Sequence, residues 1–172
     1  AFSMHADSWI VSPSGERTLS SSAQVFEDYP AFSTKSDAVL QEGDAWRKWK
    51  GQFSGPPRRA GENSLMVDTI NPLRPGRRVW SYVPGQRRVK LVEYPYDGLN
   101  TASSGVFTNG DFFVLSGPLD RFDLKLLGKR EMLVPYNTQR LSQHPKVEDI
   151  LNPGHINPDL LRWELHRVWV VE

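Results

Sequence analysis

Four histidines, His5, His144, His155 and His166, and no cysteine bound the chemistry open to this chain. No two histidines flank a glutamate at the i, i+4 spacing of helical zinc proteases, and none stands in a carboxylate cluster of ligand spacing. Glu164 and His166 alternate on one face of a strand-like run with Arg162 beside them. A carboxylate next to an imidazole can orient a general base. The same three residues also make an ordinary cross-strand row, and that is the preferred reading. No Gly-x-Ser-x-Gly elbow and no glycine-rich phosphate loop is present, and Ser103-Ser104-Gly105 reads as a plain loop. The acidic doublets Glu27-Asp28 and Glu148-Asp149 would point to opposite sides of a strand, so neither forms an acid/base pair by itself. The chain is therefore expected not to be an enzyme, and to need neither cofactor nor metal.

The charges say little about partners. Lys plus Arg number 21 against 20 Asp plus Glu, a net charge of +1. The basic doublets Arg58-Arg59, Arg77-Arg78, Arg87-Arg88 and Lys129-Arg130 interleave with aromatics, as on a base-stacking sheet. With the acids nearly matching the bases, they are read instead as solvating strand ends and discouraging edge pairing, and no nucleic-acid partner is expected. The aromatic residues are more informative. Trp80 and Tyr82 share one face of a strand, with Val79 and Val83 on the other, while Trp163, Leu165 and Trp169 share a face of the last run. In a closed sandwich these are core; in a half-open barrel they line a cavity for an acyl chain. The pattern alone does not separate the two.

Elements to carry these residues follow from turn punctuation. The 172 residues, 38% hydrophobic and 24% charged, suit a single domain with its own core. The 13 Gly and 13 Pro are spread along the whole length, which favours a meander of short strands. Strands are expected over Trp9–Val11, from Thr18 to Phe26 after a turn at Ser12-Pro13-Ser14-Gly15, and over Asp44–Phe53 and Asn63–Ile70. A hairpin spans 77–92, with Pro84 and Gly85 at the two central turn positions and positive φ expected at Gly85. Residues 94–110 read as a loop of the kind that forms a lid or rim, followed by a short element over 111–115. A strand over 122–134 is expected to bulge at Gly128, a helical turn falls at 146–151, and the last strand occupies 160–172. No signal-peptide pattern opens the chain and it ends within an apolar run, which reads as a fragment of a longer protein.

The string Trp80-Ser81-Tyr82-Val83-Pro84-Gly85-Gln86-Arg87-Arg88-Val89, the segment 120–132, Val134-Pro135-Tyr136-Asn137-Thr138-Gln139-Arg140-Leu141 and the stretch 155–172 resemble a proteobacterial family of unknown function related to the LolA/LolB lipoprotein-sorting proteins. The resemblance covers about Trp46 to Glu172. It implies a mainly β protein, a curved antiparallel sheet or incomplete, half-open barrel of LolA/LolB type, longer than this chain and located in the periplasm, peripheral to the outer membrane. It further implies a non-catalytic carrier of a lipid, a lipoprotein acyl chain or another hydrophobic ligand, linked to outer-membrane transport. The ligand-binding candidates are then Trp80, Tyr82, Trp163, Leu165 and Trp169. The implied partners are a resistance-nodulation-division-type exporter or an outer-membrane protein, and the rival expectation is a structural adaptor that docks on such a protein without a ligand.

Overall fold

The computed structural model describes residues 1–33, 39–100, 103–112 and 115–172. They form two compact units, one of residues 1–10 and 19–118, the other of residues 11–18 and 119–172.

The first unit is built on a six-stranded meander: β1 (Phe2–Val11), β2 (Arg17–Asp28), β3 (Ala45–Gly55), β4 (Asn63–Thr69), β5 (Arg78–Val83) and β6 (Arg88–Leu91). Each strand neighbours the next, β1 and β6 are the two edges, and the sheet does not close. The pairings from β2 to β6 are antiparallel. Alternation of side chains divides this sheet into two chemically different faces. The inner face carries the buried Ala23, Val25, Phe53 and Val79. Trp49 lies on it as well, packed against the small cluster of Ala23, Val25 and Phe53.

The inner face is crossed by a row of buried charges. Arg47 donates from Nη2 to Glu27 Oε1 at 2.9 Å and stands 3.8 Å from Asp68. Arg77 grips Asp68 with two bonds, Nε to Oδ1 at 2.6 Å and Nη2 to Oδ2 at 3.3 Å. Tyr29 donates its hydroxyl to Glu27 at the other end. Acid and base alternate, so each buried ion has an opposite partner, the condition under which burial of charge is tolerable. That bond to Glu27, with partial burial, holds the Tyr29 phenol above its ordinary pKa.

Most expected elements occur where turn residues bracket them. β1 is much longer than the three residues anticipated, because Phe2–Asp7 alternates too weakly to be read as a strand. The β5–β6 hairpin forms, but its turn differs from the expected one. Pro84–Gln86 makes a single helical turn and Arg87, at φ 49°, takes the left-handed position that had been assigned to Gly85. Four residues separate Val83 from Arg88, so the left-handed residue must close the loop rather than sit at its centre.

Residues 94–100 and 103–110 are not structureless. Leu99 and Thr108 form an isolated antiparallel bridge, and Asn100 N–H donates to the Phe107 carbonyl at 2.8 Å. A capped turn follows at Asn109–Asp111, with the Asp111 carboxylate accepting from Thr108 N–H. Positions 101, 102, 113 and 114, which belong to the expected loop and to the expected element at 111–115, lie outside the described residues.

The second unit holds the antiparallel ribbon of β7 (Leu126–Pro135) with a last strand at Trp163–Val171. Between them come α1 (Gln139–Ser142), α2 (Val147–Ile150), β8 (Leu151–Asn152) and β9 (His155–Ile156), which makes the last strand β10. The register slips opposite Val170 and Val171, where Gly128 sits at φ 106°, so the expected bulge is present. Arg17 caps α2 by donating to the carbonyls of Leu151, at 2.7 and 3.0 Å, and of Glu148, at 3.2 Å.

Removing one member of the buried charge row strands the rest. Asp68→Ala is expected to cost roughly 3–5 kcal/mol, because it leaves Arg77 buried without its carboxylate. Chemical denaturation will show the loss.

Candidate functional site

In the first unit, residues 92–100 and 103–112 run over the inner face and roof a partly open cavity of about 190 Å³ against it. Its floor is the sheet: Trp49 and Phe53 from β3, Ser64 and Met66 from β4, Val79 and Ser81 from β5. Its roof is Gly98, Leu99, Asn100, Asn109 and Phe112. The roof is held by Arg77, whose guanidinium donates to the Asn109 carbonyl at 3.1 Å and to Ser116 Oγ at 2.6 Å. The same guanidinium lies over the Tyr96 ring, 4.7 Å from its centroid. Asn100 and Asn109 bond through their side chains at 2.9 Å, and Ser104 meets Ser20 of β2 at 2.7 Å. The segment is thus tied to the sheet by polar contacts while apolar side chains turn into the space beneath.

Two guanidinium groups border the cavity. Arg47 faces Glu27 and Asp68, while Arg59 bonds Glu62 at 2.9 Å and stacks 4.2 Å from the Phe53 centroid. Each is matched by carboxylate. What the space offers a guest is mostly hydrocarbon and aromatic surface, with the hydroxyls of Ser64 and Ser81 and the amides of Asn63, Asn100 and Asn109 at its border.

Gly51 shapes this floor. A Cβ there would lie 2.4 Å from the tip of the Trp49 indole, which is laid along the inner face across the glycine.

The five aromatic and aliphatic residues singled out in the sequence fall in two places. Trp80 and Tyr82 are on β5, half-buried, on the face opposite Val79 and Ser81. Trp163, Leu165 and Trp169 share the outer face of β10 in the second unit and are 54%, 63% and 61% exposed. The described lining of the cavity comes from other side chains. Trp49 and Phe53 carried a signal for it, since with Ala45 they share one side of an extended β3. Leu99 and Phe112 sit in irregular backbone, where no periodicity points to them.

Glu164 and His166 meet, Oε2 to Nε2 at 3.0 Å, and Glu164 also takes bonds from Arg162 at 2.8 Å and Asn137 at 3.0 Å. Tyr136 packs on the imidazole, 4.4 Å between ring centroids. The bond from Asn137, then that from His166, holds the Glu164 carboxyl below the ordinary glutamate range. The group is a satisfied surface row on the ribbon. Among the described residues, no three His, Asp or Glu side chains are grouped to hold a metal, and no helix is long and apolar enough to cross a membrane.

A mainly antiparallel β protein with an open sheet and a roofed inner face is what the fold and the cavity define. The whole chain, residues 1–172, matches the family described as protein of unknown function (DUF1329), and the chain belongs to that family. It is similar to "Uncharacterized protein PA3922" of Pseudomonas aeruginosa, 43% identical over 126 residues, or 72% of this chain. The matched stretch spans 28% of that relative's length. No solved structure matches.

Two outcomes follow from this geometry. Gly51→Ala should displace the Trp49 indole, costing about 1–3 kcal/mol as overpacking and changing the near-ultraviolet circular dichroism. A depressed carboxyl stabilises the fold above its unfolded pKa and loses that contribution as pH falls through the lower folded value. The Glu164 carboxyl should therefore titrate below an ordinary glutamate by ¹³C NMR, and Asn137→Gly, which suits the φ of 52° there, should move it up.

Proposed function

We propose that this chain is part of a non-catalytic carrier that holds a lipid or other hydrophobic ligand, and that the cavity roofed by Gly98, Leu99, Asn100, Asn109 and Phe112 receives an apolar segment of it. The observation that carries the reading is a roofed, partly open space of about 190 Å³, floored by Trp49, Phe53, Met66 and Val79, whose bordering arginines are already matched by carboxylates. A dry apolar cavity of ~150 Å³ is enough to take a benzene-sized guest. A saturated chain of about six carbons gains on the order of 5 kcal/mol gross at ~0.8 kcal/mol per CH₂. Association costs at least several kcal/mol, so this cavity alone supports weak binding, with the remainder of a longer ligand held elsewhere.

The open antiparallel sheet supports the kinship with LolA/LolB-type half-barrels that the family strings imply, and with it a periplasmic place linked to outer-membrane transport. An exporter of the resistance-nodulation-division type or an outer-membrane protein is the partner such a carrier would serve. A second reading is favoured by one specific observation: Leu133, Trp163, Leu165 and Trp169 leave an exposed apolar face on the β7–β10 ribbon. On that reading the protein is an adaptor, and this face docks on another protein.

The charge balance specifies the guest. An ionised head buried in the cavity would find no cation that is not already matched, so neutral molecules are expected to bind better than acids of the same length. In an NMR titration, hexanol should shift the amides of Val79, Ser81, Gly98 and Asn100 saturably, with Kd on the order of 30 mM, about −2 kcal/mol. Hexanoate should bind more weakly. Absence of saturable shifts with any neutral chain overturns the carrier reading.

A further inference from the structure

The outer face of the six-stranded sheet, opposite the cavity, carries a single row of directly paired residues across five strands: Phe26, Lys50, Leu65, Trp80 and Leu91. Phe26 and Leu65, on interior strands, are 40% and 41% exposed, and Leu91, on the edge strand β6, is 58% exposed, so the row leaves apolar surface uncovered. Tyr82 and Val89 pair in the next row on one side. In the row on the other side, Asp28, Lys48, Val67 and Arg78 lie in register. Lys48, Lys50 and Arg78 are all exposed, and Asp28 is the one acid in these rows. Lys50 stands over the Phe26 ring at 5.7 Å and Arg78 over the Trp80 ring at 5.6 Å.

We propose that this face docks on the surface of an anionic lipid bilayer. The position of Lys50 decides between a membrane and a protein partner. It sits inside the apolar row, between Phe26 and Leu65. In the dry centre of a protein interface an ammonium there would require a matching carboxylate, and lysine is depleted at such centres. On a lipid surface its stem lies along the apolar side chains while the charge reaches the phosphates. Trp80 and Tyr82 are of the type that settles at headgroup depth, and Phe26, Leu65 and Leu91 reach the acyl boundary below. Net positive charge beside an apolar strip is the complement of a negatively charged, interfacially soft surface. The proposal rests on this outer face alone and does not depend on what the cavity holds.

Vesicle sedimentation of the full chain tests it, comparing phosphatidylcholine vesicles with vesicles that also contain phosphatidylglycerol. Partition into the anionic vesicles should be at least ~10-fold stronger. It should fall between about 0.1 M and about 1 M salt, where the Debye length shrinks from ~10 Å to ~3 Å. Each cation near the surface is worth about five-fold, so Lys48→Gln with Lys50→Gln should weaken partition by roughly 20-fold. Lys90→Gln, on the same sheet but paired with Ser81 on the cavity side, should leave partition unchanged. Equal partition to both vesicle types, no partition at all, or an equal loss on Lys90→Gln would overturn the proposal. So would self-association of the chain that Lys50→Gln disrupts, since a second copy would then be the occupant. The hexanol titration is a separate readout: the Lys48→Gln, Lys50→Gln protein should still bind, so that failure of membrane docking and failure of the carrier reading are told apart.

Discussion

The alternation Glu27–Arg47–Asp68–Arg77 is the constraint on which the first unit depends. Four ions are taken almost wholly out of water, their side chains 7%, 5%, 6% and 2% exposed. Such burial gives little net stability relative to a hydrocarbon core, because desolvation offsets the attraction. What it supplies is register. A slip of β3 by one residue against β4 would carry Arg47 to the outer face and break its pairing with Glu27 and Asp68. The row also reaches beyond the sheet, since Arg77 uses its remaining donors on Asn109 and Ser116. One guanidinium therefore fixes both the strand pairing and the roof of the cavity.

That coupling explains why a hollow can persist in so small a unit. Only Ala23, Val25, Phe53 and Val79 are buried apolar side chains among the described residues. A core of that size cannot pull a roof down by hydrophobic contact alone, and a segment held by hydrocarbon would settle onto the floor. A polar strut sets a height instead. Tyr96, stacked on Arg77 with its hydroxyl bonded to the Arg77 N–H and the Pro72 carbonyl, adds a second support of the same kind. The space left between strut and floor is then defined by side-chain size, above all by the Trp49 indole lying across Gly51.

Strand existence was legible wherever turn residues bracket alternating runs, as at β3, β4 and the β5–β6 hairpin. The Gly128 bulge was legible too, because a glycine inside a long apolar strand has few other uses. The left-handed Arg87 was not, since local sequence favours glycine at positive φ and only the loop length between Val83 and Arg88 moves that role. The cavity escaped for a different reason. Its floor has the period of a strand, but its roof is irregular, and the choice of face is made by charges 9 to 21 residues apart that pair only after the sheet forms. Trp80 and Tyr82 stood out by type and alternation; which side of the sheet they serve was set by their neighbours Val79 and Ser81.

The two faces of this sheet treat charge in opposite ways. Inward, the arginines that border the cavity are matched by carboxylates, so that space suits a neutral guest. Outward, Lys48, Lys50 and Arg78 outnumber Asp28 and stand among aromatic rings, so that face keeps an attraction for anions at the cost of exposed hydrocarbon. A sheet needing only solubility would carry mixed charge outward and no apolar row. Under further protein a lysine at the centre would need a carboxylate partner. The combination is economical if one layer of strands separates two functions, holding a hydrophobic segment on one side and meeting a charged lipid surface on the other, with alternation along each strand keeping the two chemistries apart.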